Sequence, residues 1–298
     1  MARARQLWKL GFLYIVIGLL FLGLPMTARA QLGAIGGIGG ISGAETNEAT
    51  PLFTMTGTPS FRAGEGSLNF AYLNTRVTRA FGDKIEDRFG ASVAAELVSK
   101  VFLVNYGVTD RWSVGAAFQF DTSRVRSATD KVETKDLSNP SFSAKYTMIR
   151  NPNISVRGLV KLPTGYEAGS DNPELDLDLA WTASLWGYSD LHLQIGYQYT
   201  MDGRSGVNPT DLVIANAALA RSFGENFVFF TELLYRRGGG SLDSKNKTAA
   251  QKSLDVTPGF KVQFKEKFLF STAVRIALIN DFALGYDYSY LALLGYLF

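Results

Sequence analysis

Between residues 253 and 264 the chain alternates without a break. Leu254, Val256, Pro258, Phe260, Val262 and Phe264 fall on one phase, and Ser253, Asp255, Thr257, Gly259, Lys261 and Gln263 on the other. A period of two belongs to a strand whose two faces meet different surroundings. The pattern recurs at 175–186, where Leu175, Leu177, Leu179 and Trp181 oppose Asp176, Asp178, Thr182 and Ser184. At 191–200, Leu191, Leu193, Ile195, Tyr197 and Tyr199 oppose His192, Gln194, Gln198 and Thr200. Twelve strands are predicted in this way, near 67–78, 92–106, 111–121, 139–149, 154–163, 175–187, 191–200, 210–222, 227–237, 253–264, 268–279 and 286–298. Two of them, 67–78 and 210–222, do not settle into a single phase.

The connectors alternate too. Short ones at 107–110, 150–153, 188–190, 224–226 and 265–267 are separated by long polar ones, including 122–137, 164–174 and 238–252. Tight turns on one side and long loops on the other suit a membrane barrel of antiparallel strands. A soluble β-sandwich also alternates, with its apolar face turned inward. Against it stand the aromatic residues at the ends of the apolar phase: Trp112, Phe120, Phe227, Tyr235, Phe268, Tyr286 and Phe298. Aromatic rings of this kind, tyrosine above all, gather where hydrocarbon meets water. The last strand adds to the case, since Tyr286, Tyr288, Tyr290, Ala292, Leu294, Tyr296 and Phe298 share one phase and no polar tail follows. The fold expected is all-β: a closed antiparallel transmembrane β-barrel of about twelve strands. A bilayer leaves no water for an unpaired strand edge, so the sheet must close on itself.

Composition fits this reading. Mean hydropathy is +0.04, the intermediate value expected when half of each strand faces water. At the N-terminus, Arg3, Arg5 and Lys9 precede an uncharged run from Leu10 to Leu24, and Ala28-Arg29-Ala30 forms a small-residue cleavage site. This is the order of a cleaved signal peptide, assigned to residues 1–30. As a membrane anchor the run is short and meets Pro25 at once. Without residues 1–30 the chain has 26 basic and 27 acidic side chains, so no basic surface is left for nucleic acid. The chain has no Cys, and its stability therefore comes from no disulfide. Residues 31–66 are assigned as a Gly-rich periplasmic leader or lumen plug, and 67–298 as the barrel. The leader fails G-x-G-x-x-G because Ser42 stands at the third glycine.

The blocks YGVTDRWSVGAAFQF (106–120), LSNPSFSAKYTMI (137–149), VKLPTG (160–165), LHLQIGYQY (191–199) and FVFFTELLY (227–235), with the lead-in TPSFRAGEGSLNFAYLNTR (58–76), occur in order along the chain. Together they resemble the outer-membrane transporter-like family named for the meta pathway of phenol degradation. The resemblance spans about 58–298 and lies in turns and strand ends. It implies a barrel in the bacterial outer membrane that moves aromatic or other hydrophobic compounds, and it brings no catalytic residues.

If the polar phase lines the lumen, its charges are Glu96, Lys100, Asp121, Lys145, Arg157, Lys161, Asp176, Asp178, Glu232, Asp255, Lys261, Arg275 and Asp287. The hairpin through 163–174 is expected to bring Lys161 near Asp176 and Arg157 near Asp178. Such pairs either neutralise each other along the wall or set a transverse field that selects solutes. Gly115, Gly158, Gly196 and Gly259 sit mid-strand, where they either relieve crowding inside the barrel or permit curvature, the latter being the default reading.

Enzymatic readings do not fit. His192 is the only histidine, at a turn and with Gln194 two residues on, so no nucleophile–base pair is apparent. One His and no Cys also argue against a metal site, and no cofactor is expected. His192 is read as a solvated lumen or turn residue. Two functions remain: a channel or transporter for small hydrophobic or aromatic solutes, or a closed barrel acting structurally or through its loops. The partners expected are the outer-membrane bilayer, an unidentified small solute, and the barrel-assembly machinery acting on the C-terminal strand that ends at Phe298.

Overall fold

The computed structural model describes residues 61–80, 83–84, 94–126, 131–137, 140–150, 152–163, 173–185, 189–201, 211–223, 226–238, 251–264, 267–281 and 285–298. The signal at 1–30, residues 31–60 of the leader at 31–66, and most of the long connectors 164–174 and 238–252 lie outside these. The described strands are β1 (Gly66–Ala80), β2 (Asp83–Lys84), β3 (Ala94–Gly107), β4 (Trp112–Arg126), β5 (Lys131–Leu137), β6 (Ser141–Arg150), β7 (Asn153–Lys161), β8 (Glu174–Ser184), β9 (Ser189–Thr200), β10 (Leu212–Phe223), β11 (Phe227–Gly238), β12 (Gln251–Phe264), β13 (Phe268–Asn280) and β14 (Gly285–Leu297). Twelve of them pair in chain order, and β14 returns to β1 to close an antiparallel cylinder. The other two lie off the wall. β2 extends the end of β1, and β5 pairs with the upper part of β4.

Closure is made by residues far apart in the chain. Ser67 pairs with Leu297 and Thr75 with Ser289, and Gly66 and Phe298 exchange backbone hydrogen bonds of 2.9 and 3.0 Å. A Cβ at position 66 would collide with the Phe298 ring. Glycine at 66 therefore lets the terminal aromatic lie across the seam. The lead-in turns beside it: Gly64, at a φ of 86°, donates to Gly107 O at 3.0 Å, and Gly107 N donates to Glu65 O at 2.9 Å. Any side chain at 107 would strike the Arg62 carbonyl, so this approach requires glycine.

Burial is inverted with respect to a soluble protein. Leu177, Ile195 and Leu294 are 61, 57 and 58% exposed, while Lys145, Glu232 and Asp255 are 2, 2 and 0% exposed. The apolar phase thus points outward, where water would penalise each large side chain by about 1.5–3 kcal/mol and lipid does not. Outward aromatic residues form two girdles. Trp112, Phe227, Phe268 and Phe298 lie at the short-turn end, and Phe120, Tyr197, Tyr199, Tyr288 and Tyr290 lie toward the loop end. This is the outer surface of a transmembrane barrel.

Two expectations change. Residues 122–137 are not simply a loop, because Phe120–Arg126 of β4 pairs with Lys131–Leu137 of β5 as a hairpin standing beyond the wall. β6 consequently meets β4 only over Trp112–Ala117. Tyr286 is also not an outward girdle residue. An extra residue in β14 between the Thr75–Ser289 and Val77–Tyr286 pairs shifts the phase, and the Tyr286 hydroxyl donates inward to Asp255 Oδ2 at 3.1 Å. A one-residue slip moves a side chain to the opposite face.

Candidate functional site

The inner face divides into sectors around the barrel. On β6, β7 and β8 a single pairing row carries Lys145, Arg157 and Asp178 side by side, and the next strand contributes Gly196. Asp178, 3% exposed, accepts from Arg157 Nε at 2.9 Å, from Arg157 Nη2 at 2.5 Å and from Gln194 Nε2 at 3.0 Å. A Cβ at position 196 would occupy the place of Asp178 Oδ1. Two rows along the same face, Lys161 Nζ lies 2.5 Å from Glu174 Oε2, which also accepts from Gln198 Nε2 at 3.0 Å. The Arg157–Asp178 contact matches the hairpin expectation. Lys161 lies near Asp176 as expected but makes its ion pair with Glu174, which register sets directly opposite it, while Asp176 stands opposite Leu159.

A second charged sector lies on β11, β12 and β13. Asp255 is held by Arg236 Nη2 at 3.2 Å and by Tyr286, and Arg236 Nε donates to Ser253 Oγ at 3.1 Å. Glu232 and Arg275 are buried on the same inner phase. Lys261 sits 5.9 Å from the centroid of the Phe230 ring, a distance at which a desolvated cation is attracted to the ring face. Both sectors consist largely of neighbouring opposite charges, as burial of ions in a narrow interior requires.

Between them, β13, β14, β1 and β3 present an inner wall that is apolar. Ala71, Leu73, Val101, Leu103, Leu269, Ala273, Leu291 and Leu293, with Phe230 from β11, form one packed cluster in which Leu291 and Leu293 are each 1% exposed. Sequence reasoning missed this sector, since it read the second phase of the clearly alternating strands as polar and assigned no inner face to 67–78. The visible signal was the failure of 67–78 to settle into one phase, which follows from apolar side chains on both faces.

Other expectations also shift. Glu96 and Lys100 are not on the inner face. They share the outward phase of β3 with Phe102 and Val104, and Glu96 bonds Asn74 at 2.9 Å and Arg124 at 3.4 Å. His192 is buried and not solvated, with Nδ1 2.9 Å from Thr182 Oγ1. Gly115, Gly196 and Gly259 vacate space for Asn105, Asp178 and Phe230 respectively, so they relieve inner crowding more than they add curvature. Gly158 has open space around it. Glu174 and Arg236, which the polar-phase reading did not single out, belong to the inner networks, as does Tyr286, expected on the girdle. At the hairpin beyond the wall, Lys135 hydrogen-bonds Glu133 and, with Arg124, holds its carboxyl below the usual range.

The family described as "Putative MetA-pathway of phenol degradation" matches residues 62–281. No curated protein matches the chain by sequence. Among solved structures, an outer membrane channel from Pseudomonas putida F1 is similar at a TM-score of 0.65 and 15% identity, over 80% of this chain and 97% of that one. The translocator domain of autotransporter NalP from Neisseria meningitidis is similar at 0.52 and 11%, over 80% and 89%. The β domain of the Bordetella autotransporter BrkA is similar at 0.52 and 10%, over 79% and 100%. These likenesses concern the barrel itself.

Proposed function

The chain belongs to the phenol-degradation MetA-pathway family, and on that premise we propose that it is an outer-membrane channel or transporter for small hydrophobic or aromatic solutes. The observation that carries the reading is the apolar inner sector. Val101, Leu103, Leu291 and Leu293 are buried against one another and Phe230 on the inner face, so a greasy solute that parts the cluster exchanges one apolar contact for another, which a hydrated ion cannot do. The charged sectors suit the same role. Arg157–Asp178 and Arg236–Asp255 are paired, so they leave little net field to attract ions, and they present polar edges that can orient a phenolic or carboxylic group. The Pseudomonas putida F1 structure, a channel by its own description, has the same fold, and this supports the reading. Lys145, Lys161, Asp176, Glu232, Lys261 and Arg275 complete the proposed lining.

The bilayer contacts the outward face. The barrel-assembly machinery is proposed to act on β14, whose edge closes the cylinder at Phe298. Residues 31–66 are proposed as a leader or plug. Purified protein in planar bilayers and in liposomes tests these roles together. Uptake of a neutral aromatic solute above that of protein-free liposomes, with small ionic conductance, is the expected result. Uptake no faster than through protein-free liposomes would leave a closed structural barrel. Deleting 31–60 is expected to raise the ionic current.

A further inference from the structure

On the outward face, register lines up three successive rows across β8–β12. The middle row reads Leu179, Ile195, Ala215, Tyr235 and Leu254, and the row toward the turns reads Trp181, Leu193, Ala217, Leu233 and Val256. Ala215 and Ala217 are the small members, flanked by Trp181 and Ile195 on one side and Leu233 and Tyr235 on the other. They floor an open groove of about 480 Å³ in the lipid-facing wall. The row toward the loops places Arg237 directly opposite Lys252. Both are exposed, and neither side chain makes an ion pair among the described residues.

Like charges directly opposite on one face destabilise a strand pair. Each of these cations lies one residue inside the loop end of its strand, at the level where lipid headgroups begin. The chain is therefore carrying an unfavourable pair at a depth where an anion is available to bridge it. The middle groove row begins about 7 Å below, two residues along the strands. An acyl chain lying in the groove would bring its headgroup to the cations. Asp211, the acidic residue beside β10, is occupied by the Tyr197 hydroxyl at 2.6 Å and the Thr200 amide at 3.2 Å.

We infer that β8–β12 carry a specific site for a phosphorylated membrane lipid of the loop-side leaflet, with an acyl chain over Ala215 and Ala217 and a phosphate between Arg237 and Lys252. Two charge-assisted hydrogen bonds to one phosphate account for a loss of at least about tenfold in retention when both cations are removed. The test uses the mature chain in detergent, titrated with bisphosphorylated lipid A or its dephosphorylated form, with bound lipid counted by native mass spectrometry. Wild type is expected to retain the phosphorylated lipid preferentially. The Arg237→Gln/Lys252→Gln variant should lose that preference, and Ala215→Trp should lose retention by filling the groove. In lipid-free detergent the charge variant should melt no lower than wild type, since a repulsive pair has gone, and this also reports that it has folded. Equal retention of the two lipids by wild type, or retention unchanged in both variants, would overturn the site. Displacement of the lipid by inorganic phosphate alone would overturn it in favour of a free-anion site.

Discussion

Gly196 leaves vacant the piece of inner wall on which the Asp178 carboxylate rests. The two face each other across β8 and β9, and the missing side chain lets Asp178 reach both Arg157 and Gln194. Gly196→Ala is expected to push the carboxylate off both partners and to cost about 1–3 kcal/mol, as overpacking does. In an Asp178→Ala background the same substitution should cost far less. A urea-unfolding cycle on the four proteins measures this coupling, and additive effects would contradict it.

Leu291 and Leu293 are expected to govern the passage of greasy solutes. Replacing both with Ser removes apolar surface from the inner cluster and admits water. Uptake of a neutral aromatic solute in liposomes should fall severalfold, while single-channel conductance of small ions should rise. A parallel fall in both would instead point to a collapsed barrel.

Phe298 should matter for closure beyond its backbone bonds. Its ring lies over Gly66 and remains 47% exposed, so its removal forfeits about half of a buried phenylalanine, about 1–2 kcal/mol. Phe298→Ala is expected to lower the temperature at which the folded band is lost in heat-modified electrophoresis. Gly66→Val, whose side chain would strike both the Phe298 ring and the Asn105 carbonyl, should lower it further.

The hairpin of β4 and β5 should respond to acid. Lys135 and Arg124 lower the Glu133 pKa in the folded chain. A depressed carboxyl pKa stabilises the fold above the unfolded value and loses that effect as pH falls through the folded value. Amide exchange in residues 131–137 should therefore quicken, relative to intrinsic rates, as pH drops below the ordinary carboxylate range. Glu133→Gln should remove the dependence. Because the group is at the surface, high salt should weaken it as well.

Much of this architecture is legible from alternation, and its limits are physical. Residues 175–186, 191–200 and 253–264 could be phased because one of their faces is polar throughout. β1 could not, since Ala71 and Leu73 point into the barrel while Phe70 and Tyr72 point out. β5, reading KVETKDL, has polar residues on both faces because it pairs above the lipid, and so it looked like a loop. Partner choice was harder still. Lys161 against Glu174 or Asp176 is a difference of two residues in register, smaller than the uncertainty with which a hairpin's ends can be placed from sequence. The groove over Ala215 and Ala217 depends on side chains from five strands, a relation no single segment reveals.

The seam between β1 and β14 has a consequence for the order of folding. Gly66 and Phe298 exchange two backbone hydrogen bonds, yet almost the whole cylinder lies between them in the chain. Every other wall contact joins strands adjacent in sequence or, for β4 and β6, separated only by the β5 hairpin, so this one carries the greatest contact order and the largest loop-closure entropy. Hairpins can form locally and early, but none leaves the sheet without raw edges until the final strand arrives. Insertion into hydrocarbon and ring closure should accordingly be one concerted event, and a chain lacking β14 has no halfway state in which to wait.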